Sequence, residues 1–183
     1  SKVVIDGAYI EGIDSAIAIK SGVLVINDGT LYCTGADNTP TDGYSNGVNP
    51  SGASLQIESN SSYAGDIDIT VTGGSLRSQN SNVIYEYLAN TTDTKVTNIN
   101  ITGGNFLSSA SKDVFNLSSS FKNTHDKFIS GGRYSSDPYI YLKSGYQIEF
   151  NDERYEVVST TMKEELVFKE ETKKSMTITT IVL

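Results

Sequence analysis

Ile69-Thr70-Val71-Thr72-Gly73-Gly74-Ser75-Leu76, Ile99-Asn100-Ile101-Thr102-Gly103-Gly104-Asn105-Phe106 and Phe128-Ile129-Ser130-Gly131-Gly132-Arg133-Tyr134 share one grammar. In the first two, β-branched residues alternate with Thr or Asn, the period of a strand with one face turned inward. A Gly pair follows, where the chain can turn without a Cβ in the way. A large apolar side chain then starts the next strand. The first Gly of each pair advances by 30 and then 28 residues. Upstream, Leu24-Val25-Ile26-Asn27-Asp28-Gly29-Thr30-Leu31 is a shorter relative and Val4-Ile5-Asp6-Gly7-Ala8-Tyr9 a more degenerate one. Strand, Gly and strand at a near-constant period predict equivalent segments stacked on one another.

The similarity extends past the Gly pairs. Shifted by 30, Ile84-Tyr85-Glu86-Tyr87-Leu88 overlays Val114-Phe115-Asn116-Leu117-Ser118, setting Tyr85 on Phe115 and Tyr87 on Leu117. No long 3.6-residue apolar stripe competes with this pattern. The expected fold is therefore all-β, a right-handed parallel β-helix (β-solenoid) with a C-terminal hairpin or cap. Gly29, Gly73, Gly74, Gly103, Gly104, Gly131 and Gly132 are its expected structural corners. Residues 1–145 would form the coils, and residues 146–183 the β-hairpin with a cap or association segment. In that last part Tyr146, Ile148 and Phe150 alternate, Asn151 to Arg154 can turn, and Tyr155 and Val157 resume the alternation.

Ile101-Thr102-Gly103-Gly104-Asn105-Phe106, Phe128 to Pro138, and Tyr141-Leu142-Lys143-Ser144-Gly145-Tyr146 resemble Gly-rich right-handed parallel β-helix modules of bacterial surface proteins and phage fibre-like proteins. The resemblance covers roughly Ile17 to Tyr146. It implies an extracellular, cell-surface or virion location and a role in adhesion, in a fibre or in non-catalytic glycan binding. No catalytic residue carries over with it.

Composition narrows the partners. With 14 basic and 22 acidic side chains, the chain has a formal charge of −8, and Lys173-Lys174 is its only adjacent basic pair. Phosphate neutralisation needs clustered cations, so nucleic acid is not expected as a partner. No apolar run approaches the length of a spanning helix, so membrane insertion is not expected either. Cys33 is the single cysteine, excluding an intrachain disulfide, and it reads as a small buried side chain. One His and one Cys do not make a transition-metal site. No cofactor, metal or catalytic residue is expected.

Tyr is the informative aromatic, at 11 residues against 6 Phe and no Trp. Its ring stacks on sugars and its hydroxyl finds polar partners. Tyr44, Tyr63, Tyr139 and Tyr141 lie in loop-like or edge contexts and are candidate ligand contacts. Asp66 and Asp68, two apart in a strand, share a face and join them. His125, next to Asp126 in a polar loop, reads as a surface side chain. The function expected is a structural or glycan-recognition module, with surface polysaccharide as a partner and a dimer or trimer as its assembly. The alternative is a polysaccharide-degrading β-helix enzyme, a lyase or glycoside hydrolase acting through paired carboxylates such as Asp66 and Asp68.

Overall fold

Two sheets carry the chain in a computed structural model, which describes residues 1–41 and 50–161. The larger holds nine strands. They are β1 (Lys2–Gly12), β3 (Gly22–Cys33), β5 (Ile67–Val71), β6 (Ser75–Ser78), β8 (Val96–Ile101), β9 (Asn105–Leu107), β11 (Arg133–Tyr134), β12 (Tyr146–Asn151) and β13 (Arg154–Ser159). The smaller is separate and parallel, built from β2 (Ile17–Ile19), β4 (Leu55–Asn60), β7 (Ile84–Ala89) and β10 (Phe115–Asn116). One short helix, α1 (Ser119–Thr124), follows β10.

The repeated segments meet as paired strands. Ile69 pairs with Ile99 and Val71 with Ile101, while Leu76, Phe106 and Tyr134 follow one another across β6, β9 and β11. The residues that alternate inward on β5, Ile67, Ile69 and Val71, are fully buried. Beneath them Phe106 and Tyr134 stack with centroids 4.8 Å apart, and Tyr134 donates its hydroxyl to Gly131 O at 2.8 Å. That bond satisfies a polar group which burial would otherwise penalise.

The nine-stranded sheet is a curled mixed sheet, a half-barrel, with the parallel sheet separate from it, and the fold is not the right-handed parallel β-helix solenoid that the repeat predicts. Two features account for the difference. First, β5 and β6 flank Gly73 and Gly74, yet both pair with β3 in the same sheet. Gly29 lies within β3 itself, opposite Ala8. The segments on either side of these Gly positions thus belong to one sheet. A Gly permits a turn but does not fix its angle, and β3 runs as one strand past Gly29 with β5 paired to its first part and β6 to its last. Second, β12 and β13 form an antiparallel hairpin, and β13 joins β11 antiparallel, Tyr134 opposite Tyr155. The hairpin therefore forms an edge of the large sheet. The cap or association segment proposed beyond it falls on residues 162–183, outside the described residues.

The second sheet also departs from the expected overlay. Phe115 pairs with Ile84, and Asn116 with Tyr85. Ile84 and Glu86 are buried while Tyr85 and Tyr87 are only partly so, one residue out of phase with a reading that puts aromatic bulk inside. Glu86 can occupy the inner position because four donors meet it. Ser59 Oγ lies at 3.0 Å, Thr94 Oγ1 at 2.5 Å, Ser118 Oγ at 2.5 Å and Ser118 N at 3.2 Å. A carboxylate so fully hydrogen-bonded is tolerated where an unpaired one is not.

Candidate functional site: a polar cleft beside strand β8

On the outer face of β5 and β8, the side chains between the buried Ile positions are Asp68, Thr70, Asn98 and Asn100. Asp68 pairs across the strands with Asn98, and Thr70 with Asn100. Asn98 Nδ2 donates to Asp68 Oδ1 at 2.8 Å, and Lys143 Nζ donates to Asn100 Oδ1 at 2.5 Å. Thr70, Asn98 and Asn100 line an open cleft of about 460 Å³, with residues Thr124 to Phe128 as its wall.

The wall is set by α1. Ser118 is its N-cap, accepting from Phe121 N at 3.0 Å, and Phe121 is fully buried. At the other end His125 N donates to Phe121 O at 2.8 Å and closes the turn. The imidazole packs on the Phe121 ring, 5.1 Å between centroids. Its Nε2 lies 2.7 Å from Val96 O. A carbonyl only accepts, so Nε2 carries the proton in this contact. Lys127, exposed on the same wall, donates Nζ to Ile140 O at 2.8 Å. The cleft therefore offers amide, hydroxyl, ammonium and imidazole groups that are positioned by contacts of their own.

Of the residues expected from the sequence, Asp68 borders this cleft through Asn98. Asp66 is exposed at the start of β5, where its carbonyl accepts from Gly22 N at 2.7 Å. Tyr63 is half-buried, with Lys20 Nζ 4.9 Å from its ring centroid and Lys95 Nζ bonded to its carbonyl. Tyr139 is 68% exposed in the 3-10 turn Tyr139–Tyr141, whereas Tyr141 is 6% exposed. Tyr141 packs 5.1 Å from Phe115 and 5.0 Å from Phe128. It is a core side chain, and burial, followed by the charge of Asp113, raises its phenol above the ordinary range. Tyr44 lies outside the described residues. The aromatic candidates thus do not come together as one surface.

The expected corners are placed as follows. A Cβ on Gly73 would stand 2.3 Å from Asn27 O, one on Gly103 2.3 Å from Thr72 O, and one on Gly131 2.0 Å from Thr102 O. Gly29, Gly74, Gly104 and Gly132 all have positive φ. Cys33 is fully buried, donates Sγ–H to Ile13 O at 3.3 Å, and has its thiol pushed up by burial.

Sequence reading missed Asn98, Asn100, His125, Lys127 and Lys143 as a group. The outward alternation of the two Asn was visible, but nothing in the spacing says that α1 returns His125 to the side of β8. Among the described residues, no three His, Cys, Asp or Glu side chains gather as a metal cluster.

No family model matches the chain, and no match to it is found among curated proteins or solved structures. The resemblance to bacterial surface and phage fibre-like β-helix modules is accordingly corrected: without a matching family and with a curled mixed sheet in place of a solenoid, nothing supports that kinship.

Proposed function

We propose that the chain is a non-catalytic glycan-recognition module whose ligand lies across the cleft beside β8. The observation that carries this reading is the lining itself. Asn98, Asn100, Thr70, His125 and Lys143 bring donors and acceptors together along an open surface. Saccharide hydroxyls both donate and accept, and a row of fixed amides and hydroxyls answers them without burying a charge. The hydrogen bonds among Asp68, Asn98, Asn100 and Lys143 hold these groups in place before a ligand arrives, lowering the ordering cost of binding.

The test is titration of the chain with a panel of neutral and acidic oligosaccharides, followed by NMR, with reducing and unsaturated ends assayed in parallel. Binding without new ends is expected, with shifts centred on Asn98, Asn100 and His125. Asn98→Ala should weaken binding about tenfold, the effect of one lost hydrogen bond. Newly formed ends would establish the polysaccharide-degrading alternative instead, and no binding across the panel would remove the reading.

A further inference from the structure

Strand β1 is the end of the large sheet. It pairs with β3 on one side, and among the described residues no strand pairs with its other side. Along this eleven-residue edge strand, the backbone groups of alternate residues, those not bonded to β3, point outward. The side chains do not discourage a partner. Val3, Val4 and Tyr9 are 51%, 49% and 65% exposed. Val3 is opposite the buried Leu24, on the face that elsewhere meets the core. Beside it a small cleft of about 160 Å³ opens between Val3, Ile17, Ile19 and Leu24. Among the described residues, none covers Val3 at this end.

Gly7 gives a second observation. A Cβ on Gly29 would meet Ala8 O at 2.4 Å, and one on Gly74 would meet Gly29 O at 2.9 Å. At Gly7, with φ +91°, the same construction meets nothing within 4 Å. Among the described residues, none takes beside β1 the place that neighbouring backbone fills along the sheet.

The geometry points to a second copy of this chain as the occupant, its β1 pairing antiparallel with this one about a two-fold axis. A two-fold axis normal to the sheet runs the edge strands antiparallel and keeps each face on its own side. In an unbroken strand this demands that paired residue numbers have an even sum. The register shifts between Ile5 and Ala8 change that. They put Lys2, Val4, Tyr9 and Glu11 on the outer face and Val3, Ile5, Ala8 and Ile10 on the inner one, as their partners in β3 show. The allowed sum becomes odd. Centring the axis between Asp6 and Gly7 then sets Lys2 opposite the partner's Glu11 and Val4 opposite the partner's Tyr9. On the inner face Val3 meets the partner's Ile10 and Ile5 the partner's Ala8. Each Asp6 faces the partner's Gly7, which keeps the two Asp6 carboxylates from direct opposition. Apart from Asp6 with Gly7, each of these cross-strand pairs is complementary in charge or apolar character, and the two-fold makes each of them twice.

The experiment is sedimentation equilibrium of the full chain at low salt, beside Glu11→Lys and the double variant Lys2→Glu with Glu11→Lys. The parent should sediment as a dimer, twice 19.8 kDa. Glu11→Lys turns two attractive pairs repulsive and should raise the dimer dissociation constant about tenfold. The charge swap should restore it to within about threefold of the parent. Both variants lose the 2.6 Å hydrogen bond from Tyr9 to Glu11, so only a Lys2–Glu11 pairing between copies distinguishes them. A parent that stays monomeric at millimolar concentration overturns the proposal. So does a dimer indifferent to Glu11→Lys, or one that the swap does not recover.

Discussion

Gly103 and Gly145 separate two reasons for which a position requires glycine. Gly103 is constrained by contact, since a Cβ would lie 2.3 Å from the Thr72 carbonyl oxygen, and its φ is not in the left-handed region. Gly145 is constrained by conformation, with φ +85° and open space where a Cβ would go. Gly103→Ala should therefore cost about 3 kcal/mol, because backbone must move to admit the methyl. Gly145→Ala should cost about 1 kcal/mol, the ordinary penalty for an L-residue at positive φ. Urea denaturation of the two variants checks the ordering, and equal effects would refute the contact argument. Asp37 supplies a second residue-scale outcome. Burial alone would raise its pKa, but hydrogen bonds from Lys112 and Ser81, with the Lys112 charge, prevail and hold it below the ordinary aspartate range. A carboxyl depressed on folding adds stability that is fully present above its unfolded pKa and is lost as pH falls through the folded one. Asp37→Asn should accordingly flatten the acid limb of a stability-against-pH curve below about pH 4 and leave its slope near neutrality unchanged.

Glu86 on β7 shows how an element depends on one buried polar group. Its oxygens receive Ser59 from β4, Thr94 from the turn before β8, and both the backbone and side chain of Ser118. Ser118 in turn caps α1, and α1 positions His125 at the cleft. Glu86→Ala should lower stability by about 3 kcal/mol, because several buried donors lose their acceptor together. It should also shift the His125 resonances in an NMR spectrum, whereas an unaltered His125 would show that α1 is held without Glu86. The same residue marks the limit of what was legible. Ile69 over Ile99 and Leu76 over Phe106 could be read from the chain, because alternation and a repeat near 30 residues specify both partner and face. The pairing of Ile84 with Phe115 could not. A buried carboxylate depends on donors from three distant segments, and each is an unremarkable Ser or Thr in the sequence. For the site, Asp68 was read as a surface acid, but its partner Asn98 and the return of His125 depend on tertiary pairing alone.

At the scale of the whole molecule, parallel and antiparallel pairings meet along one line, β11 against β13. The sheet's shape was hidden for this reason: Gly pairs announce a bend, while the choice between closing a coil and curling a sheet rests on where β13 docks. Val157 secures that docking, being 7% exposed, with its backbone N bonded to Gly132 O at 3.0 Å. The hairpin meets the rest of the large sheet through two-residue β11, so its hold is local. The parallel strands β4 and β7 pair over six residues each and draw on the deepest part of the core. Stability in such an arrangement is uneven, and segments open in cooperative units of their own. Val157→Lys would put an ammonium where the hairpin meets the core, and should release the hairpin without unfolding the parallel stack. Amide hydrogen exchange should then lose protection over Tyr146–Asn151, Arg154–Ser159 and Arg133–Tyr134, and retain it over Leu55–Asn60 and Ile84–Ala89. Simultaneous loss in every segment would mean that the hairpin and the stack fold as one unit, and that the mixed edge is as integral to stability as the repeat.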